Sequence, residues 1–183
     1  MNIFTKARLL AHVLHWRITW DKRDTRKAVT VPGNPKFMGV RDAVKLIKDG
    51  AVMGTSGLAG NQRASYMWWG MREMFQETGH PKDLTIVSVG GQGGRGKIPG
   101  TLEELACPGL CTRFFTGHTE TYKGILKLAD KGLLELQCIP QGTLALILKA
   151  MGTGQNFVVN ETGAGTFMDP RTGRGTPVLG GDA

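Results

Sequence analysis

The chain has 183 residues, 40% hydrophobic and 21% charged, which fits one globular domain and excludes a disordered or fibrous protein. No stretch nears the roughly 20 uncharged apolar residues of a bilayer span, and three Cys without a secretory-type apolar core argue against a disulfide-framed secreted domain. The net charge of +8 lies wholly in residues 1–48, with 11 Lys/Arg against 3 Asp/Glu; residues 49–183 hold 12 of each and carry no phosphate-tracking signature, so nucleic acid is not the expected partner.

Residues 1–38 read as a basic extension and linker, and residues 39–183 as the folded domain. Residues 1–20 contain Lys6, Arg8 and Arg17 but no acid, with Ile3, Phe4, Leu9, Leu10, Val13, Leu14, Trp16 and Trp20 near helical spacing. Two readings stand: a targeting or membrane-surface helix, or a leading helix docked on this protein or a partner. Residues 21–38, broken by Pro32, Gly33 and Pro35, read as linker.

From residue 39 a strand–helix alternation begins. Val40–Lys48 is a predicted helix, stopped by Asp49-Gly50. Strands are expected at Ala51–Thr55, Leu84–Val89, Arg113–Thr116, Leu134–Ile139 and Phe157–Asn160. Helices are expected at Ala64–Glu77, Glu120–Lys131 and Leu144–Met151, with one helical turn or two at Leu102–Ala106. The tail, residues 161–183, is glycine-rich and irregular. Such alternation predicts right-handed βαβ units: an α/β fold with a mostly parallel sheet and helices on both faces. Ligands in these sheets meet the loops after the strands' carboxyl ends, here 56–63, 90–100, 117–119 and 140–143. All four are rich in Gly, Asn, Gln, Ser or Thr, which suits carboxylate, phosphate or thioester oxygens.

Several motifs resolve into blander readings. Gly91–Gly96 matches G-x-G-x-x-G, but Pro99 follows where a helix should open, and no acid lies at the spacing that holds a ribose. Cys107, Cys111 and Cys138 lack a zinc spacing and an evident His or acid partner, so packed thiols are expected and no metal. Met67, Trp68, Trp69, Met71, Met74 and Phe75 read as core or interface. Adjacent Trp68 and Trp69 cannot share one helix face, so one is expected to meet a partner subunit. Thr116 or Thr119 can cap the following helix, or His118 and Thr119 can face the crevice. Gln141 is either part of a helix-entry turn or an amide offered to a ligand carbonyl.

Taken in order, the loops resemble the amino-terminal (α) half of a class I (family I) coenzyme A transferase, in its propionate and acetate branch. The similarity runs from about Val40 to Arg171. It rests on Asp49-Gly50 with Ser56-Gly57-Leu58-Ala59-Gly60-Asn61, on Glu77–Thr85, on Gly91-Gln92-Gly93, on Ile139–Leu144, and on Gly163–Arg171. In the first signature Ser56 and Gln62 replace glycines and Ala64 a proline. The resemblance implies a CoA-transferase α-type domain, incomplete at its carboxyl end. It moves CoA between an acyl-CoA and a short-chain carboxylate, with no permanently bound cofactor. The resemblance further implies that the nucleophilic glutamate comes from a β-type partner in a hetero-oligomer and that this chain supplies no catalytic residue. Substrate would be met by Ser56, Gly57, Gly60, Asn61, Gly91, Gln92, Gly93, His118, Gln141 and Gly142. A cytoplasmic location is expected, with organelle targeting by residues 1–20 left open. The alternative is a non-catalytic binding or assembly protein on the same scaffold.

Overall fold

The structure is a computed structural model that describes residues 2–19, 24–27, 31–58, 63–94, 99–169 and 171. In chain order the regular elements are α1 (Ile3–Thr19), α2 (Val40–Val44), β1 (Val52–Ser56), α3 (Ser65–Thr78), β2 (Leu84–Val89), β3 (Cys111–Thr116), α4 (Lys123–Asp130), β4 (Glu135–Cys138) and α5 (Gln141–Gly152). Two 3-10 turns, Leu102–Leu105 and Thr119–Thr121, precede β3 and α4.

The four strands form one sheet in the order β1-β2-β3-β4, every pair parallel. A sequential order with right-handed crossovers puts all the connections on one face. Register sorts the side chains accordingly. Met53, Ile86, Phe114 and Leu136 align across the sheet and join the main core with Val44, Trp68, Met71, Leu105, Ile125 and Leu128. The neighbouring row, Gly54, Val87, Phe115 and Gln137, faces the other way. There α5 returns across the sheet: a Cβ on Gly54 would lie 2.7 Å from Leu148 Cδ2. The sheet therefore carries helices on both faces, as expected, with α5 covering the second.

The elements end where backbone chemistry stops them. α3 closes on Gly79 at φ 75°, whose N–H donates to Phe75 C=O at 2.8 Å. At the amino end of the sheet Asp49 brackets two segments. Its Oδ2 lies 2.7 Å from His80 Nδ1, and its Oδ1 accepts from Lys82 N–H at 3.0 Å. The His80 hydrogen bond holds this carboxyl below its ordinary range. The Asp49 and His80 positions thus brace the sheet at the end opposite the crevice loops.

Several expectations are corrected. The run 157–160 forms no strand: local β-propensity is not enough without a ladder partner, and Phe157 and Val159 are exposed. α2 stops at Val44. The helix expected from Glu120 begins at Lys123, because Thr121 Oγ1 donates back to His118 C=O and Tyr122 turns into the core. Neither Thr116 nor Thr119 caps α4, whose N-cap, Tyr122, makes no side-chain cap. Residues 141–143 are the first turn of α5 and not a loop. Trp68 and Trp69 are both buried within this chain: Trp68 in the core, Trp69 against the 99–104 segment, where its Nε1 donates to Glu104 Oε1 at 2.9 Å. Residues 24–27, inside the stretch read as linker, are tied to α3. Tyr66 Oη donates to Asp24 C=O at 2.5 Å, and buried Thr25 bonds Glu73.

Glu103 is held in a partly buried place with one oxygen unpaired. Its Oε2 accepts from Gly124 N–H at 2.6 Å, while its buried Oε1 has no hydrogen-bond partner. Burial pushes its carboxyl above the ordinary value. A raised acid favours folding while protonated, and that contribution disappears as pH rises through the folded value. Thermal melts from about pH 4 to pH 8 should therefore show Glu103→Gln more stable than the parent near neutrality, the gap closing towards acid. A parent and variant that melt together at every pH would contradict this.

Candidate functional site at the carboxyl ends of the strands

The four loops meet. A Cβ on Gly90 would lie 1.9 Å from Gly57 C=O, so the first and second loops touch through backbone alone. Gly90 also sits at φ 96°, a conformation that glycine adopts freely. Gly91 lies against the His118 ring, at 3.4 Å from its placed Cβ. His118 Nδ1 is 3.3 Å from Gln141 Oε1, which joins the third loop to the start of α5. With Oε1 accepting, Nδ1 holds the proton, and Nε2 and the Gln141 amide N–H groups remain for other work. His118 and Gln141 are half-buried, Ser56 and Gly142 exposed. Gly163 comes within contact of Pro140, so the turn at 163–169 folds back beside the fourth loop. There Arg171 and the Gly165 N–H hold the Asp169 carboxyl well below the usual carboxylate range.

The expected residues divide by what they face. Gly57, Gly91, His118 and Gln141 stand at the meeting point. Gly93 lies beneath it, where a Cβ would meet Thr121 C=O at 2.2 Å. Gln92 is fully buried rather than turned outward. Its Oε1 accepts from Thr55 Oγ1 at 3.2 Å and its Nε2 donates to Ser88 Oγ at 3.2 Å. It shapes the glycine loop from inside. Gly60 and Asn61 fall outside the described residues.

Sequence reasoning missed the residue that organises the loop, Tyr122. Its fully buried hydroxyl accepts from Gln92 N–H at 2.9 Å, lies 3.0 Å from Ser88 Oγ and reaches Gly90 C=O at 3.4 Å. Burial pushes the phenol above its ordinary value. Its ring meets Phe114 edge-on, centroids 4.9 Å apart. One signal was available: Ser88 is a hydroxyl in the same inward row as Leu84 and Ile86, and a buried hydroxyl requires partners.

The thiols are not poised as nucleophiles. Burial raises Cys107 and Cys138 and pushes Cys111 up to about 12. Glu104 is occupied by Arg72, Trp69 and Gly100 N–H. Glu120 is exposed on the 3-10 turn after His118. At the start of α3, and lined by none of the residues at the meeting point, is a cavity of about 530 Å³ bordered by residues including Met38, Val40, Arg63, Tyr66 and Met67.

Comparison with known proteins follows this geometry. Caffeate CoA-transferase of Acetobacterium woodii is 28% identical over 136 residues, covering 74% of this chain and 26% of that protein. Acetate CoA-transferase YdiF of Escherichia coli K12 is 28% identical over 146 residues, covering 79% and 27%. The acyl-CoA transferase YdiF of E. coli O157:H7, solved as a thioester complex with CoA, superposes with a TM-score of 0.71 at 28% identity, over 79% of this chain and 29% of that one. Its apoenzyme gives 0.69 at 29% identity, over 78% and 27%. The chain shares both sequence and fold with CoA-transferases. It spans about a quarter of the length of the curated relatives it matches. No family model matches.

The glycine contacts are directly testable. Gly90→Ala places a methyl group into Gly57 C=O at positive φ, and should cost about 2 kcal/mol or more and lower the melting temperature by roughly 5 °C or more. Gly142→Ala meets nothing within 4 Å and should stay within about 0.5 kcal/mol. Equal melting of the two variants would contradict the close approach.

Proposed function

We propose that this chain is the α-type portion of a CoA-transferase that moves CoA between an acyl-CoA and a short-chain carboxylate. A β-type partner supplies the nucleophilic glutamate. The observation that carries the reading is the convergence of the four strand-end loops on one backbone-lined surface, in a chain similar to CoA-transferases in sequence and fold.

In this reading the partner's glutamate attacks the thioester carbonyl and expels CoA thiolate, leaving an acyl-glutamyl anhydride. The thiolate then attacks the glutamyl carbonyl, releasing the donor carboxylate and leaving a glutamyl-CoA thioester. The acceptor carboxylate attacks that thioester and expels CoA thiolate, forming a new acyl-glutamyl anhydride; the thiolate then attacks the acyl carbonyl of that anhydride, giving the new acyl-CoA and freeing the glutamate carboxylate. The α-type loops form the wall of the acyl site. Gln141, with Oε1 turned to His118, offers its amide N–H groups to the carbonyl oxygen on which charge develops, and stays neutral at any working pH. Gln92 and Tyr122 hold the glycine loop against that site. No cofactor is needed: the bond energy of the thioester is passed on through the glutamate.

The test is CoA exchange from acetyl-CoA to propionate by the chain purified with its β-type partner, with mass spectrometry of the chain alone after exposure to acetyl-CoA. Exchange should need both polypeptides, and the chain alone should gain no acyl mass. His118→Ala and Gln141→Ala should each lower kcat/KM about 10- to 100-fold, the loss of one hydrogen bond to developing charge. Glu120→Gln should leave exchange unchanged. Covalent acylation of the isolated chain, or loss of exchange in Glu120→Gln, would overturn the assignment of the nucleophile. Absence of exchange with the partner present would favour the binding or assembly role.

A further inference from the structure

We propose that α1 is a docking helix for an anionic lipid surface. None of its residues, from Ile3 to Thr19, is buried. Ile3, Ala7, Leu10, Leu14 and Ile18 follow one another at spacings of three and four, which aligns them along one side of the helix. The four large ones are exposed, at 77%, 61%, 51% and 68%, and Phe4 beside them at 81%. Lys6 and Arg17 lie at one edge of this stripe, Leu9, Val13 and Trp16 continue the apolar surface beyond them, and the polar arc left between Phe4 and Trp16 carries Thr5, Arg8, His12, His15 and Thr19; Lys6 and Arg17 can reach from within the apolar surface toward headgroups. Most helical stability in proteins comes from packing of an apolar side, so a surface that takes the apolar side of α1 stabilises it.

Charge selects the occupant. α1 has three Lys/Arg and no Asp or Glu, while residues 49–183 are balanced. A second copy could offer the exposed Leu146 and Met151 of α5 as apolar cover, but α5 brings Lys149 and no acid, setting cation against cation. An anionic bilayer surface supplies both the apolar interior and the counter-charge. α1 lies on such a surface rather than crossing it: no helix among the described residues is long and apolar enough to span a membrane. Asp24, five residues after the end of α1, has its C=O held by Tyr66, so docking keeps the sheet close to the surface.

The test is flotation of the full chain with vesicles of pure phosphatidylcholine and of phosphatidylglycerol mixed with phosphatidylcholine. The chain should float with the mixed vesicles only, and less so in high salt. Lys6→Gln and Arg17→Gln should each lower partitioning about fivefold and Arg8→Gln, on the far arc, by less, and the double variant Leu10→Glu/Leu14→Glu should abolish it. All should melt as the parent does, since Lys6, Arg8, Leu10, Leu14 and Arg17 are all exposed. No flotation, equal flotation on pure phosphatidylcholine, or flotation that survives the double variant would overturn the proposal. So would self-association without flotation that the double variant abolishes, which would assign α1 to a second copy. A lowered melting temperature in that variant would assign α1 to the body instead.

Discussion

The arrangement depends on one buried hydroxyl. Tyr122 Oη connects the end of β2 through Ser88, the glycine loop through the Gln92 N–H, and its own segment between β3 and α4. A glycine-rich turn has little intrinsic shape, because glycine loses more freedom on folding than any other residue. Something rigid must define it. A phenol ring packed against Phe114 provides a fixed point, and its oxygen supplies both an acceptor and a donor where the loop backbone would otherwise be unsatisfied. Gln92 completes the frame by bridging Thr55 on β1 and Ser88 on β2. The buried network orders the loop from beneath and leaves its outer side for other contacts.

Topology turns that local order into a site. Sequential parallel strands deliver their carboxyl ends in a row, and each loop needs only to touch its neighbour to make one surface. The touches are made of small groups: Gly90 on Gly57, Gly91 on the His118 ring, Gly117 beside Gln141. A side chain at Gly90 or Gly117 would part the loops, while a methyl group at Gly91 would only touch the ring. This accounts for glycines whose conformational cost would otherwise go uncompensated. The amino end of the sheet is built differently, with the Asp49–His80 pair and the Gly79 stop bracing connections that carry no such surface.

Much of this was legible in the sequence, for identifiable reasons. β2 is an apolar run bounded by turn residues, and its observed limits match the pattern. The parallel order follows from alternation and handedness. The convergence of the loops follows from the parallel order. What the sequence hid was non-local. A strand at 157–160 fits local propensity but has no ladder to join. The adjacent tryptophans looked irreconcilable on one helix, yet a second layer, the 99–104 segment with its Glu104 acceptor, receives Trp69. Gln92 sits in a polar loop and reads as a ligand contact, whereas the three-dimensional neighbours Thr55, Ser88 and Tyr122 claim its backbone N–H and its side chain. Tyr122 itself gave no spacing signal, because its partners lie 30 and 34 residues away.

The central claim, that Tyr122 defines the glycine loop on which the surface is built, is tested most directly by amide hydrogen exchange in Tyr122→Phe. Removal of the hydroxyl should speed exchange at the Gln92 N–H about tenfold, the equivalent of one lost hydrogen bond, and leave the amides of Leu84–Val89 as protected as in the parent. An unchanged rate at Gln92 would contradict the account. So would a loss of protection spread evenly over the sheet, which would make Tyr122 one more core side chain and leave the loop to be shaped by something else.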